Sequence, residues 1–231
     1  MFRFFWKPDY MGWFGKLPAV GDFAGKGLPH PLNETLHGWM SNGMAAFVRE
    51  FPENWQAAYH IAPLWHFLIG AGLWDKPALI GCFAPSIDKV GRHSPLIALR
   101  SFNKRQIQAV LPPQSRWQYR VDITLRRTIA ERISVQELSD CLLQLTEAER
   151  GGNSTANILS DLGIGGSGEA PTVLQDHFTW AELPALFTER KRHSFWWAEA
   201  ADFSEHPAKR IIHEGLPDES LFCKLMSGGL Q

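Results

Sequence analysis

The spacing of apolar positions changes along the chain, and each change marks an element. Gly12 to Leu17 reads as a short strand, stopped by Pro18. A glycine-dense loop follows, with Gly21, Asp22, Gly25 and Gly27 ahead of Pro29 and Pro31. From Leu32 the period becomes helical. Leu32, Leu36, Met40, Met44, Phe47 and Phe51 recur at three or four residues, which predicts a helix to about Glu50. Phe51-Pro52 ends it, and Asn54 is placed to cap a second short helix through Tyr59. Leu64 to Gly70, Ala78 to Ala84 and Pro95 to Phe102 are compact apolar runs of strand length, the first two suggesting a hairpin.

Pro112-Pro113 introduces a long helix with Trp117, Val121, Leu125, Ile129 and Ile133 on one stripe. Ser134 and Glu137 form a capping box for the next helix, whose face is Leu138, Cys141 or Leu142, Leu145 and Ala148. Gly151-Gly152 closes it. Residues 153–170 are rich in Gly and Ser and are expected to be a mobile connection. Thr179 with Glu182 caps a helix through Phe187, and His193 to Ala198 and Lys209 to His213 read as strands. Pro217-Asp218 opens a last helix that ends near Gly228-Gly229. The pattern predicts one α/β domain over residues 1–231, a mixed sheet covered by helices, with the final segment on the same sheet.

Composition narrows the function classes. The 231 residues carry a formal net charge of -1 and a pI near 6.8, which argues against a nucleic-acid binder. Ten tryptophans are many for this length, and most are expected in the core. Cys82, Cys141 and Cys223 are far apart without a Cys-x-x-Cys pair, so they read as buried free thiols rather than a disulfide framework or zinc site. Met1 to Trp6 is too short for a signal peptide core, and Ala62 to Trp74 too short for a membrane span. A soluble, cytoplasmic protein without membrane insertion is the expectation.

The candidate chemistry gathers between Phe83 and Leu99. Two apolar runs bracket Pro85, Gly91 and Pro95, and in that gap stand Ser86, Asp88, Lys89, Arg92 and His93. Pro restricts φ and Gly permits its positive values, so these groups sit on a turn of limited shape, carried by strands. Ser86, Asp88 and His93 are triad residue types, but no G-x-S-x-G elbow surrounds Ser86. The better reading has Ser86 capping a turn and Asp88 pairing with Arg92 four residues on, as one helical turn. Gly163 to Gly168 matches G-x-G-x-x-G in the wrong context, after a helix and a polar linker. Gly21 to Gly27 lacks the first glycine and the hydroxyl of a phosphate loop. The nine histidines show no metal-ligand spacing, and no cofactor is implied. Lys191-Arg192-His193 reads as a strand start, with Trp196 or Trp197 after it open to a partner-facing role.

An ordered set of segments resembles the TagF proteins associated with type VI secretion. Gly12-Trp13-Phe14-Gly15-Lys16-Leu17-Pro18, Gly21-Asp22-Phe23 and Leu28-Pro29 resemble the family's opening. Ala62-Pro63-Leu64-Trp65-His66-Phe67 and Pro85-Ser86-Ile87-Asp88-Lys89-Val90-Gly91-Arg92, with Pro95-Leu96, resemble its central motifs. Ser194-Phe195-Trp196-Trp197 and Gly215-Leu216-Pro217 with Phe222 fit its end. Three positions depart from the pattern: Gly25-Lys26 and His66 stand where arginines are expected, and His93-Ser94 replaces an aromatic pair. If those positions form a contact surface in relatives, partner choice here differs.

The resemblance implies a three-layer α/β/α sandwich and a non-catalytic cytoplasmic repressor. It implies post-translational action, alongside or in place of threonine phosphorylation, through a forkhead-associated-domain scaffold protein of the type VI secretion apparatus. Lys16, Asp22, Ser86, Asp88 and Arg92 are the candidate partner-binding or loop-organising residues. The alternative is a small-molecule or anion-binding domain, or a cryptic enzyme, using the Gly21–Phe23 and Ser86–Arg92 loops.

Overall fold

A computed structural model describes residues 10–102, 116–150, 183–189, 192–198 and 209–228. Seven strands among them form one sheet: β1 (Met11–Lys16), β2 (Phe23–Lys26), β3 (Trp65–Ile69), β4 (Ala78–Ala84), β5 (Leu96–Phe102), β6 (His193–Ala198) and β7 (Lys209–Glu214). Their spatial order is β2-β1-β5-β4-β3-β6-β7, so the last two strands extend the same sheet, as expected. Every neighbouring pair runs antiparallel, which refines the expected mixed sheet. The central strands read as unbroken apolar runs, a pattern usual for parallel sheets, because both faces are covered.

Helices supply that cover and make three layers. On one face lie α1 (His30–Glu50), α2 (Trp55–Ile61) and α6 (Glu219–Met226), which bury Leu36, Met40, Phe47, Tyr59 and Phe222 against Phe67, Phe83 and Trp196. On the other lie α3 (Arg116–Glu131), α4 (Val135–Arg150) and α5 (Leu183–Glu189), with Trp117, Val121, Leu125, Leu138 and Phe187 against Ile80, Cys82 and Trp197. The period-two alternation of β4 explains the split: Leu79 and Phe83 face the first layer, Ile80 and Cys82 the second. Trp196 and Trp197 likewise point to opposite faces, both fully buried, which removes the partner-facing role left open for them.

Two helix starts carry the caps expected of them. The Ser134 hydroxyl accepts from Glu137 N at 3.2 Å, and Asp218 caps α6 by accepting from Leu221 N at 2.9 Å. Asn54 occupies the cap position of α2 without a side-chain cap bond. The glycine-dense loop contains β2, a strand the sequence did not announce. Its pairing is made by the β1 backbone and needs glycine, since a Cβ at Gly12 would stand 2.3 Å from the Lys26 carbonyl oxygen. The 153–170 connection and Gly163 to Gly168 lie outside the described residues.

Candidate functional site

Residues 85–95 form the hairpin tip that joins β4 to β5. Ile87 and His93 make an isolated antiparallel bridge, and Ser94 N donates to Ser86 O at 3.2 Å. Gly91 N then donates to Asp88 O at 3.0 Å, with Gly91 at φ +88°. The tip is therefore a four-residue turn, not the expected helical one. A positive φ is what Gly supplies without steric cost.

Asp88 closes this turn from inside. Its Oδ1 accepts from Val90 N at 3.0 Å and Arg92 N at 2.9 Å. Its Oδ2 accepts from Arg92 Nε at 2.7 Å and pairs with Lys16 Nζ at 3.1 Å. An ionised carboxylate offers about four acceptor positions, so this one is saturated. Its side chain has no exposed surface. Burial alone would raise its pKa, but the bonds from Arg92, Lys16 and Val90 outweigh burial and hold it well below the usual carboxylate range.

Lys16 reaches Asp88 because β1 and the tip approach closely. Gly15 has φ +138°, and a Cβ there would stand 2.2 Å from Pro95 O. Lys16 N donates to that same carbonyl at 3.3 Å, and Ser86 Oγ donates to Lys16 O at 2.8 Å. The 17–22 loop is tied in separately: Lys89 N donates to Val20 O at 2.8 Å, and Arg92 Nη2 donates to Gly21 O. Four of the five candidates, Lys16, Ser86, Asp88 and Arg92, thus form one network. Asp22 does not join it; its carboxylate is exposed and accepts from its own neighbour, Phe23 N, at 2.8 Å. Lys16 Nζ sits 5.3 Å above the Phe23 ring, so the Gly-Asp-Phe turn contributes an aromatic face rather than a charge.

Ser86, Asp88 and His93 make no triad. Ser86 gives its proton to Lys16 O, Asp88 is saturated, and His93 Nε2 faces His60 Nε2 at 3.4 Å. Nor does the tip line the groove formed by Trp39, Ala46, Trp74, Leu216 and Cys223 between α1 and α6. What the tip presents outward is Lys89, Val90, which is 69% exposed, Gly91, and the Arg92 side chain, 57% exposed.

Two further arrangements carried no sequence signal. Tyr59, on α2, bonds twice to the Ser86 backbone from 27 positions away. Under α3, His66 Nε2 lies 2.8 Å from Asp122 Oδ2, with Cys82 Sγ 3.8 Å from His66 Nδ1 and Arg126 on the other Asp122 oxygen. Burial would raise the Asp122 pKa, and the His66 and Arg126 contacts lower it. Cys82, His66 and Asp122 are all at least nine-tenths buried, so the set is core chemistry. His66, one of the three departures from the family pattern, therefore lies in the core of this chain and offers no contact surface.

Residues 12–145 match the TagF N-terminal domain, type VI secretion system-associated. The chain belongs to this family. The match spans more than half of the sequence and includes β1 through most of α4, with all five candidates inside it. Among solved structures, the fold is similar to that of PA0076 from Pseudomonas aeruginosa PAO1, with a TM-score of 0.71 and 26% identity over 96% of each chain. No curated protein matches. This TagF-family chain is thus a type VI secretion-associated protein. Among its described residues no helix is long and apolar enough to cross a membrane.

Proposed function

We propose that this protein is a non-catalytic cytoplasmic regulator of type VI secretion, a post-translational repressor that docks on the forkhead-associated scaffold through the 88–92 tip. The observation that carries the reading is the saturation of Asp88. A catalytic carboxylate needs a free lone pair or an exchangeable proton within reach of substrate. Asp88 has neither, because Lys16, Arg92 and two amides take its oxygens in a site closed to solvent. The same bonds stiffen the turn that holds Lys89 and Val90 outward, and a rigid, pre-shaped loop loses little entropy on docking.

The test is genetic. Deleting the chain is expected to raise secretion, and restoring it to repress again. Val90→Asp alters only an exposed tip residue, so it is expected to accumulate to normal levels yet fail to repress. Full repression by Val90→Asp would contradict docking through the tip.

The alternative reading, an anion or small-molecule site on the two loops, has weaker support. Lys16 and Arg92 already neutralise Asp88, which leaves less positive charge for an anion. Thermal-shift screening with nucleotides and phosphate separates the readings, since a ligand of the folded state raises the melting midpoint by mass action.

A further inference from the structure

His60, in the last turn of α2, and His93, where the tip rejoins β5, stand opposite each other although 33 positions separate them. Their Nε2 atoms lie 3.4 Å apart, with ring centroids at 5.1 Å and planes at 68°. The His93 ring is fixed from the side by edge contacts to Trp55 at 5.0 Å and Tyr59 at 5.2 Å. His60 is exposed and His93 half-buried, so solvent ions reach the pair.

We propose that His60 and His93 form a binding site for a zinc-class divalent ion, each ligating through Nε2. Two nitrogens about 2.0–2.1 Å from one tetrahedral zinc lie about 3.4 Å from each other, which is the separation found here. Imidazole nitrogen favours zinc, copper and nickel over magnesium or calcium. Ligation requires the neutral imidazole, so a zinc-class ion competes with protons for the pair. The Lys16 charge, which would repel a cation, is matched by Asp88 at 3.1 Å. Among the described residues no group of three or more His, Cys, Asp or Glu is placed to hold a metal. The ion is therefore held by two protein ligands, with water in its other positions, and binds more weakly than a four-ligand structural zinc. Once bound, it clips the hairpin tip to α2. This site stands apart from the docking proposal, and neither needs the other.

The experiment uses the full chain, freed of any purification tag and treated with chelator, titrated with Zn²⁺ by calorimetry and with Co²⁺ by visible absorption. Expected are one equivalent of zinc per chain, a raised melting midpoint, and a tetrahedral cobalt spectrum. His60→Gln and His93→Gln should each weaken zinc binding by at least about tenfold, the scale on which lost metal-site contacts act. His30→Gln, on the exposed start of α1, should leave it unchanged. His60 is exposed, so its substitution keeps the test valid if His93→Gln lowers stability. Absence of zinc binding up to about a millimolar, the weak end of specific affinity, overturns the proposal. So does binding that both substitutions leave intact, which would place the ion elsewhere and leave the pair a plain hydrogen bond.

Discussion

The Tyr59 hydroxyl and the Ser86 backbone hold each other twice. The hydroxyl donates to Ser86 O at 2.9 Å and accepts from Ser86 N at 3.0 Å. Tyr59 is fully buried, and burial pushes its ionisation far above the ordinary phenol range, so it stays a donor at any working pH. Through this contact α2 fixes the root of the tip.

Tyr59→Phe keeps the ring and removes that brace. Ser86 O retains its bond from Ser94 N, but the Ser86 amide is left buried without a partner. Such a loss costs about 1–3 kcal/mol. Chemical denaturation should show a lowered midpoint at unchanged slope, since the buried area is the same. An unchanged midpoint would mean that α2 does not hold the tip.

Asp88→Asn leaves Lys16 nearly buried with no counter-charge. Removing one partner of a buried pair costs about 3–5 kcal/mol, and the exposed half of the Arg92 contact adds little. The pH dependence follows from the same bonds. The folded-state pKa of Asp88 lies below its unfolded value near 3.9, so its contribution is complete above about pH 4 and is lost as pH falls toward the folded value. The wild type should lose stability through that acid window, and Asp88→Asn should show a flatter acid limb. Parallel curves for the two proteins would remove the carboxylate from this role.

The described thiols differ in accessibility. Cys141 is half-buried on α4, whereas Cys82 is fully buried and Cys223 nearly so. The Cys223 thiol is pushed up to about 12 by burial and then by Glu50, which leaves almost no thiolate at neutral pH. Alkylation of the native protein, followed by mass spectrometry, should mark Cys141 first. Labelling of Cys82 ahead of it would show that the His66–Asp122 layer opens to solvent.

Local rules made much of this protein legible. The 3.6-residue stripe of α1, the apolar run of β4 and the caps at Ser134 and Asp218 are visible because each rests on neighbours in sequence. The Asp88–Arg92 pair was legible for the same reason, at four residues apart. Strand β2 was not, because a short glycine-rich edge strand has no apolar pattern of its own. The antiparallel sense was legible at the β3–β4 hairpin but not for the other central pairs, since burial on both faces erases the alternation that would show it. Tyr59 with Ser86, His60 with His93, and His66 with Asp122 are pairings made by the fold across 27, 33 and 56 positions, and spacing in the chain cannot announce them. Asp22 was named with Asp88 as a candidate loop-organising residue, and the fold uses its neighbours Gly21 and Phe23 instead.

A titration of the purified forkhead-associated scaffold against Val90→Asp and Tyr59→Phe, with melting curves of both variants, tests the docking face most directly. The account predicts that Val90→Asp melts like the wild type and binds at least about tenfold more weakly, as an interface anchor does. It predicts that Tyr59→Phe melts lower and, where still folded, binds. Wild-type affinity in Val90→Asp, or affinity lost only in step with melting, would contradict it.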